Sequence, residues 1–404
     1  MKKICFLLLT VFLVLGSCRK ENGADNNTST RGSLVGDPVV LGMESKTIMK
    51  ILLVNFAGNN ANDIKFDYDV DVIKIVYRTI DPDNNAAIAS GLLLIPKNPG
   101  KSLPLLSYQH GTILKKDAVP SRMSGSYEVG LIFGTEGYVV ACPDYLGMGD
   151  GKGMHPYMHA KSEATAIIDM LRAAKIVCKN RGITLNNQLF LIGYSQGGHS
   201  TMAALKMIEE EYNSEFKVTA CAPMAGPYDM SGTQLNFMLR DTFYPSPGYL
   251  PYVLYAYNKI YNMYPIIDSI FVSPYSGEFK LYFNDNPTQE LGAVDMLWPS
   301  SRIPTSIFKP VILQDIKDNI NNPIRLALKD NNLYDWAPKS PVHLCHCNGD
   351  KDVAYQNSVV AYNSFINHGS TNVQLIMPLD GGDHETCIIP AFTHAIKWFD
   401  SLKE

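Results

Sequence analysis

The sequence predicts an α/β fold: a mostly parallel central sheet flanked by helices, with an inserted helical cap over the carboxyl edge of the strands. Three observations predict it. From Val72 onward, short apolar runs of strand length alternate with segments of helical apolar spacing. The alternation stops between about Ser231 and Lys339, where seven tyrosines from Tyr244 to Tyr264 are punctuated by Pro245, Pro247 and Pro251. A tight turn, Gly193-Tyr194-Ser195-Gln196-Gly197, joins an apolar strand to a helix, the arrangement that lifts a serine hydroxyl above a sheet.

Lys2 and Lys3 precede an apolar run over 4–15, too short to span a bilayer, so residues 1–17 read as a signal peptide. The string Leu15-Gly16-Ser17-Cys18 resembles the lipobox of bacterial lipoproteins. That resemblance implies lipidation at Cys18, a flexible polar tether over 18–36, and a protein lipid-anchored to a membrane of the bacterial cell envelope, periplasmic or at the cell surface. No later segment is long and apolar enough to cross a membrane.

The chain has 404 residues, 46% hydrophobic and 18% charged, enough for one large core plus an insertion and too apolar for disorder. A net charge of −4 without a long basic run excludes a nucleic-acid partner. Strands are expected over 72–80 and 86–95, paired about the turn Asp81-Pro82-Asp83-Asn84, and again over 103–108 and 138–142. A helix follows from Ser162 as N-cap, with Ala164, Ile167, Ile168, Leu171 and Ala174 on one face. Further strands are expected over 189–193, 218–223, 342–347 and 373–377. The core therefore covers residues 37–230 and 339–404, and the cap 231–338. Most cap tyrosines should pack the cap itself, with one or two lining an acyl or aromatic pocket.

Beyond Cys5 and Cys18, six cysteines remain, too dispersed for a disulfide scaffold although export would permit disulfides. Cys142, Cys221 and Cys345 lie in apolar strand-like runs and read as buried thiols. Cys345-His346-Cys347 lacks zinc spacing, and His155 and His159 are separated by Pro156 with no third ligand evident. Neither a metal nor a cofactor is expected.

A serine hydroxyl needs a base to remove its proton. Of the nine histidines, His384 alone follows a final strand through a glycine loop, Gly381-Gly382-Asp383. His394 falls in a terminal helix, and His199 lies one turn past Ser195, pointing along the helix. The base is therefore His384. Its orienting acid is Asp350 or Asp352; Asp350 is preferred, because Val353 and the helix beginning near Tyr355 then follow at the expected spacing. Asp352 would be solvated or would cap that helix. Backbone N–H groups of Gln196 and of Gly111 or Thr112 are the candidate oxyanion donors, with His110 orienting its loop.

Tyr108-Gln109-His110-Gly111-Thr112, Pro143-Asp144-Tyr145-Leu146-Gly147-Met148-Gly149, His155-Pro156-Tyr157 and the Ser195 motif together resemble the secretory-lipase and esterase branch of the α/β-hydrolases. The likeness runs from Val72 to the C-terminus, except for the cap. Cys347 departs from it, standing where many relatives carry glycine, as does the doubled acid. The resemblance implies cofactor-free hydrolysis of carboxylic esters, often lipid or acyl esters, through an acyl-enzyme. The alternatives are a serine peptidase, which would need anionic or polar groups in the cap, and a non-catalytic lipoprotein binding lipid or glycan on the same scaffold.

Overall fold

The computed structural model describes residues 31–57 and 64–404. The expected signal peptide, Cys18 and the tether up to residue 30 lie outside them.

Among the described residues, nine strands form one sheet: β1 (Val39–Glu44), β2 (Val70–Ile80), β3 (Ala86–Pro96), β4 (Leu103–Gln109), β5 (Val139–Pro143), β6 (Leu185–Tyr194), β7 (Val218–Met224), β8 (Val342–Cys345) and β9 (Val373–Ile376). Their order is β1-β2-β3-β5-β4-β6-β7-β8-β9. Pairings from β1 to β5 are antiparallel, and those from β5 to β9 are parallel. The parallel half brings the carboxyl ends of β4, β6, β8 and β9 to one edge, where loops can converge.

Around the sheet lie α1 (Lys46–Ala57), α2 (Tyr127–Thr135), α3 (Ala160–Asn180) and α4 (Gln196–Glu211). Between β7 and β8 the chain runs through α5 (Leu235–Met238), α6 (Tyr249–Tyr261), α7 (Tyr275–Tyr282), α8 (Leu291–Asp295), α9 (Pro310–Asp318) and α10 (Pro323–Asp330). It closes with α11 (Gln356–Asn367) and α12 (Ile388–Leu402). Among the described residues, no helix is long and apolar enough to cross a membrane.

The two-residue period of the strands sends alternate side chains to opposite faces. Ile73, Ile75, Leu93 and Leu105 pack against Ile167 and Leu171 of α3 and Leu205 of α4. Val72, Leu92, Leu94 and Phe190 pack on the other face against Phe133 of α2 and Phe399 of α12. Full burial of each such side chain contributes about 1.5–3 kcal/mol, so both faces of the sheet are well covered. A third apolar cluster joins the inserted helices to core loops through Leu114, Tyr157 and Met158. Its tyrosines seal that joint. Tyr252 stacks on Tyr157 at 4.1 Å between centroids and donates to the Ile113 carbonyl, while Tyr257 donates to the Met158 carbonyl.

Several boundaries differ from the sequence reading. Ser162 is not an N-cap: α3 starts at Ala160, and the Ser162 hydroxyl sits 2.6 Å from His159 Nδ1 inside the first turn. Residues 31–36 are not free tether. Arg31 pairs with buried Asp169 at 3.0 Å, and Gly32 and Val35 donate to carbonyls of β2. Strand β1 carries no apolar alternation because it is an edge strand with Val39 and Val40 half exposed. The strand expected over 342–347 stops at Cys345, freeing His346 and Cys347 for the site. Cys142, Cys221 and Cys345 are buried free thiols, as is Cys178, whereas Cys347 and Cys387 form a disulfide.

Candidate active site

β6 delivers Ser195 to the carboxyl edge, and the chain reverses at once into α4. The reversal puts Ser195 at φ 61°, ψ −121°, a backbone region that costs a non-glycine residue about 1–3 kcal/mol and persists only where the surroundings enforce it. They do so here. The Ser195 amide donates to the Met224 carbonyl at 2.9 Å, and a Cβ on Gly197 or Gly198 would overlap the carbonyls of Gln109 or Met224. Glycine at both positions lets the neighbouring backbones close around the turn.

His384 stands in the loop after β9, with Nε2 at 2.9 Å from Ser195 Oγ. Its Nδ1 lies 2.5 Å from Asp350 Oδ2 in the loop after β8. Tyr194 donates its hydroxyl to the His384 carbonyl at 2.7 Å, holding the backbone of that residue. Burial alone would lower the His384 pKa, but the hydrogen bond and charge of Asp350 raise it above the ordinary imidazole value. Burial alone would raise the Asp350 pKa; hydrogen bonds from His346 and His384 instead hold it well below the usual carboxylate range. Its second oxygen, Oδ1, accepts from the amides of Asp352 and Val353 at 2.9 and 2.8 Å.

Two groups around the acid escaped the sequence reading. His346 Nε2 lies 3.2 Å from Asp350 Oδ2, and its Nδ1 lies 2.8 Å from Ser358 Oγ. The signal in the sequence was its four-residue offset from Asp350. The Cys347–Cys387 disulfide ties the start of the Asp350 loop to the segment just after His384. Among the described residues, no cluster of histidine, cysteine and carboxylate could hold a metal.

Asp352 is neither solvated nor a cap, contrary to expectation. It is 9% exposed, and α11 has no side-chain cap. The inserted segment holds it: Gln234 and Tyr244 donate to its carbonyl at 2.9 and 2.6 Å. It lines a narrow cleft of about 40 Å³ together with Ser195, Gln196, Tyr157, Tyr244 and Tyr249. A roomier hollow of about 250 Å³ lies elsewhere, along Asp81, Lys152 and Lys259, away from Ser195.

Behind the turn, Gln196 donates to Glu163 Oε1 at 2.9 Å and to His155 Nε2 at 2.9 Å. Burial lowers the His155 pKa to about 4, which leaves Nε2 free to accept while Nδ1 donates to the Leu146 carbonyl. His199 does not merely point along its helix; it is buried with Nδ1 at 2.7 Å from Glu163 Oε2. His394 pairs with His343 at 3.0 Å, part of a separate cluster with Trp398. A Cβ on Gly111 would make only ordinary contact with the Tyr194 carbonyl, and Thr112 Oγ1 sits 2.8 Å from the Tyr157 hydroxyl. His110 is buried, with Nδ1 at 2.7 Å from the Gly111 carbonyl, so it orients its loop.

The secretory lipase family model matches residues 125–402, which carry Ser195, Asp350 and His384. The chain belongs to the secretory lipase family. Solved relatives agree with that membership. A putative hydrolase from Legionella pneumophila is 30% identical, with a TM-score of 0.83 over 91% of this chain and 98% of that one. The rice cell wall degrading esterase LipA from Xanthomonas oryzae is 30% identical, with a TM-score of 0.77 over 92% and 96%. Candida antarctica lipase A in its closed state is 17% identical with a TM-score of 0.68 over 94% and 85%, a likeness of fold. None of the curated proteins compared with the chain is similar in sequence.

Proposed function

We propose that this ester hydrolase works through a Ser195–His384–Asp350 triad and an acyl-enzyme. The continuous chain of contacts from Ser195 Oγ through both ring nitrogens of His384 to Asp350 carries the reading. Ionised Asp350 accepts the Nδ1 proton, which leaves the Nε2 lone pair facing Oγ. As Oγ bonds to the ester carbonyl carbon, its proton passes to Nε2. The oxyanion that forms takes hydrogen bonds from the backbone N–H of Gln196 and of Gly111 or Thr112. Collapse breaks the ester C–O bond, and the departing alcohol oxygen takes the proton from Nε2. Water then repeats the sequence: its proton goes to Nε2, the acid is released, and Oγ recovers the proton. The inserted helices cap this chemistry and set the size of the cleft.

The pH profile tests the base. His384 must be neutral to accept the proton, and its pKa is raised, so protonation disables it at a higher pH than for a free imidazole. We expect kcat/KM to fall with unit slope as pH drops, the limb centred above ~6.5. His394→Ala should leave the limb in place. A wild-type profile flat down to about pH 5 would exclude a histidine base.

The same reading includes an N-terminal lipid anchor at Cys18, supported by the lipobox-like string that precedes it. Cys18→Ser is expected to move the protein from the membrane to the soluble fraction and to abolish labelling by a palmitate analogue. Membrane association that survives the substitution would place attachment elsewhere.

A further inference from the structure

The cleft beside Ser195 is apolar for most of its wall, with Met230, Met238, Val253 and Val353 among its lining. Two polar residues, Asp352 and Gln196, also line it. Asp352 Oδ1 is buried with no hydrogen-bond partner, and so is Gln196 Oε1. The Gln196 orientation follows from His155: its Nδ1 donates to the Leu146 carbonyl, so its Nε2 accepts from the Gln196 NH₂, turning Oε1 away. Buried acceptors are nearly always paired, and an unpaired one costs free energy that a suitable donor would recover. The Asp352 backbone is held on both sides. Its amide is held by Asp350, its carbonyl by Gln234 and Tyr244, and its carboxyl group is in reach of the Ser246 side chain. Burial raises its pKa, opposed by His384 and Ser246.

The cleft takes the acyl side of the ester. The leaving alcohol must lie next to His384 Nε2 to be protonated, whereas among the described residues the lining includes Ser195 and Gln196 but not His384. A hollow of about 40 Å³ has room for only a few heavy atoms, since one water needs roughly 10–15 Å³ by the same measure. Resting on the hydrolase reading above, we propose that Asp352 makes the enzyme select esters of short hydroxyacyl groups, the acyl hydroxyl donating to Asp352 Oδ1. A site built to pair a substrate hydroxyl discriminates strongly against the analogue that lacks it, because the acceptor is then left unmet.

The test compares ethyl 3-hydroxybutanoate with ethyl butanoate, and ethyl lactate with ethyl propanoate, by titration of the released acid. Each kcat/KM ratio is divided by the ratio for hydroxide hydrolysis, which removes intrinsic reactivity. The wild type is expected to favour the better-fitting hydroxy ester at least tenfold. Asp352→Leu should bring that ratio to about one, and Asp352→Asn, which keeps an acceptor oxygen of the same shape, should retain most of it. Wild-type ratios near one for both pairs overturn the proposal, even if the leucine variant does not fold. So does a leucine variant that keeps the wild-type ratio. In either case turnover of the plain esters leaves the triad reading standing. No turnover of any ester, together with no covalent labelling by a fluorophosphonate, overturns that reading and this proposal with it.

Discussion

Ser195→Ala is expected to lower kcat/KM for a p-nitrophenyl ester by a factor on the order of 10⁴ or more and to abolish fluorophosphonate labelling. The substitution removes one atom, Oγ, the atom facing His384 Nε2. The fold should survive, because no packing depends on that oxygen and alanine suits the following helix. Alanine must still adopt the positive φ of residue 195, so the elbow remains strained but no more than with serine. A circular-dichroism melt separates lost chemistry from lost fold. Near-wild-type turnover in a folded Ser195→Ala protein would remove the nucleophile from the mechanism.

Asp350→Asn should be nearly as damaging, on the order of 10⁴ in kcat, with little change in KM. An amide can offer Nδ1 a donor instead of an acceptor, which favours the tautomer whose Nε2 carries the proton and cannot take another. The change reaches further than His384. Asp350 Oδ1 also gathers the amides of Asp352 and Val353, and Oδ2 faces His346. Asp352→Asn should cost much less on a plain ester, within about tenfold, since Asp352 touches neither ring nitrogen of His384. Steady-state kinetics of the two variants side by side would decide, and the opposite ranking would transfer the role of orienting acid to Asp352.

The sheet and the positions of the candidate serine and histidine were legible because each is written in a few consecutive residues. Apolar runs mark the strands, a strand–turn–helix with flanking glycines marks Ser195, and a glycine loop after the last strand marks His384. The candidate acid was legible as a preference between two neighbours, since spacing ranks Asp350 over Asp352 without saying where either points. What placed Asp352 in the cleft wall was Gln234 and Tyr244, more than 100 residues away in the chain, and no local pattern encodes that packing. His346 was hidden by the same rule. Its role appears only when β8 ends at Cys345 and the next residues turn back on the acid. Edge strand β1 escaped because its exposed residues have no core face to alternate with.

The Cys347–Cys387 bond joins positions 40 residues apart, with Cα atoms 5.9 Å from each other. Closing a loop of that size removes chain entropy from the unfolded state worth about 4 kcal/mol in the simplest treatment. One closed ring of chain therefore contains both Asp350 and His384. Thiols become disulfides only where the surroundings are oxidising. Without that bond the two loops are still joined by Asn348, which donates to Asp380 Oδ1 at 2.8 Å and accepts from the Gly381 amide at 2.6 Å. On the proposed mechanism, oxidation is thus a clamp on the proton relay, added across loops that already meet.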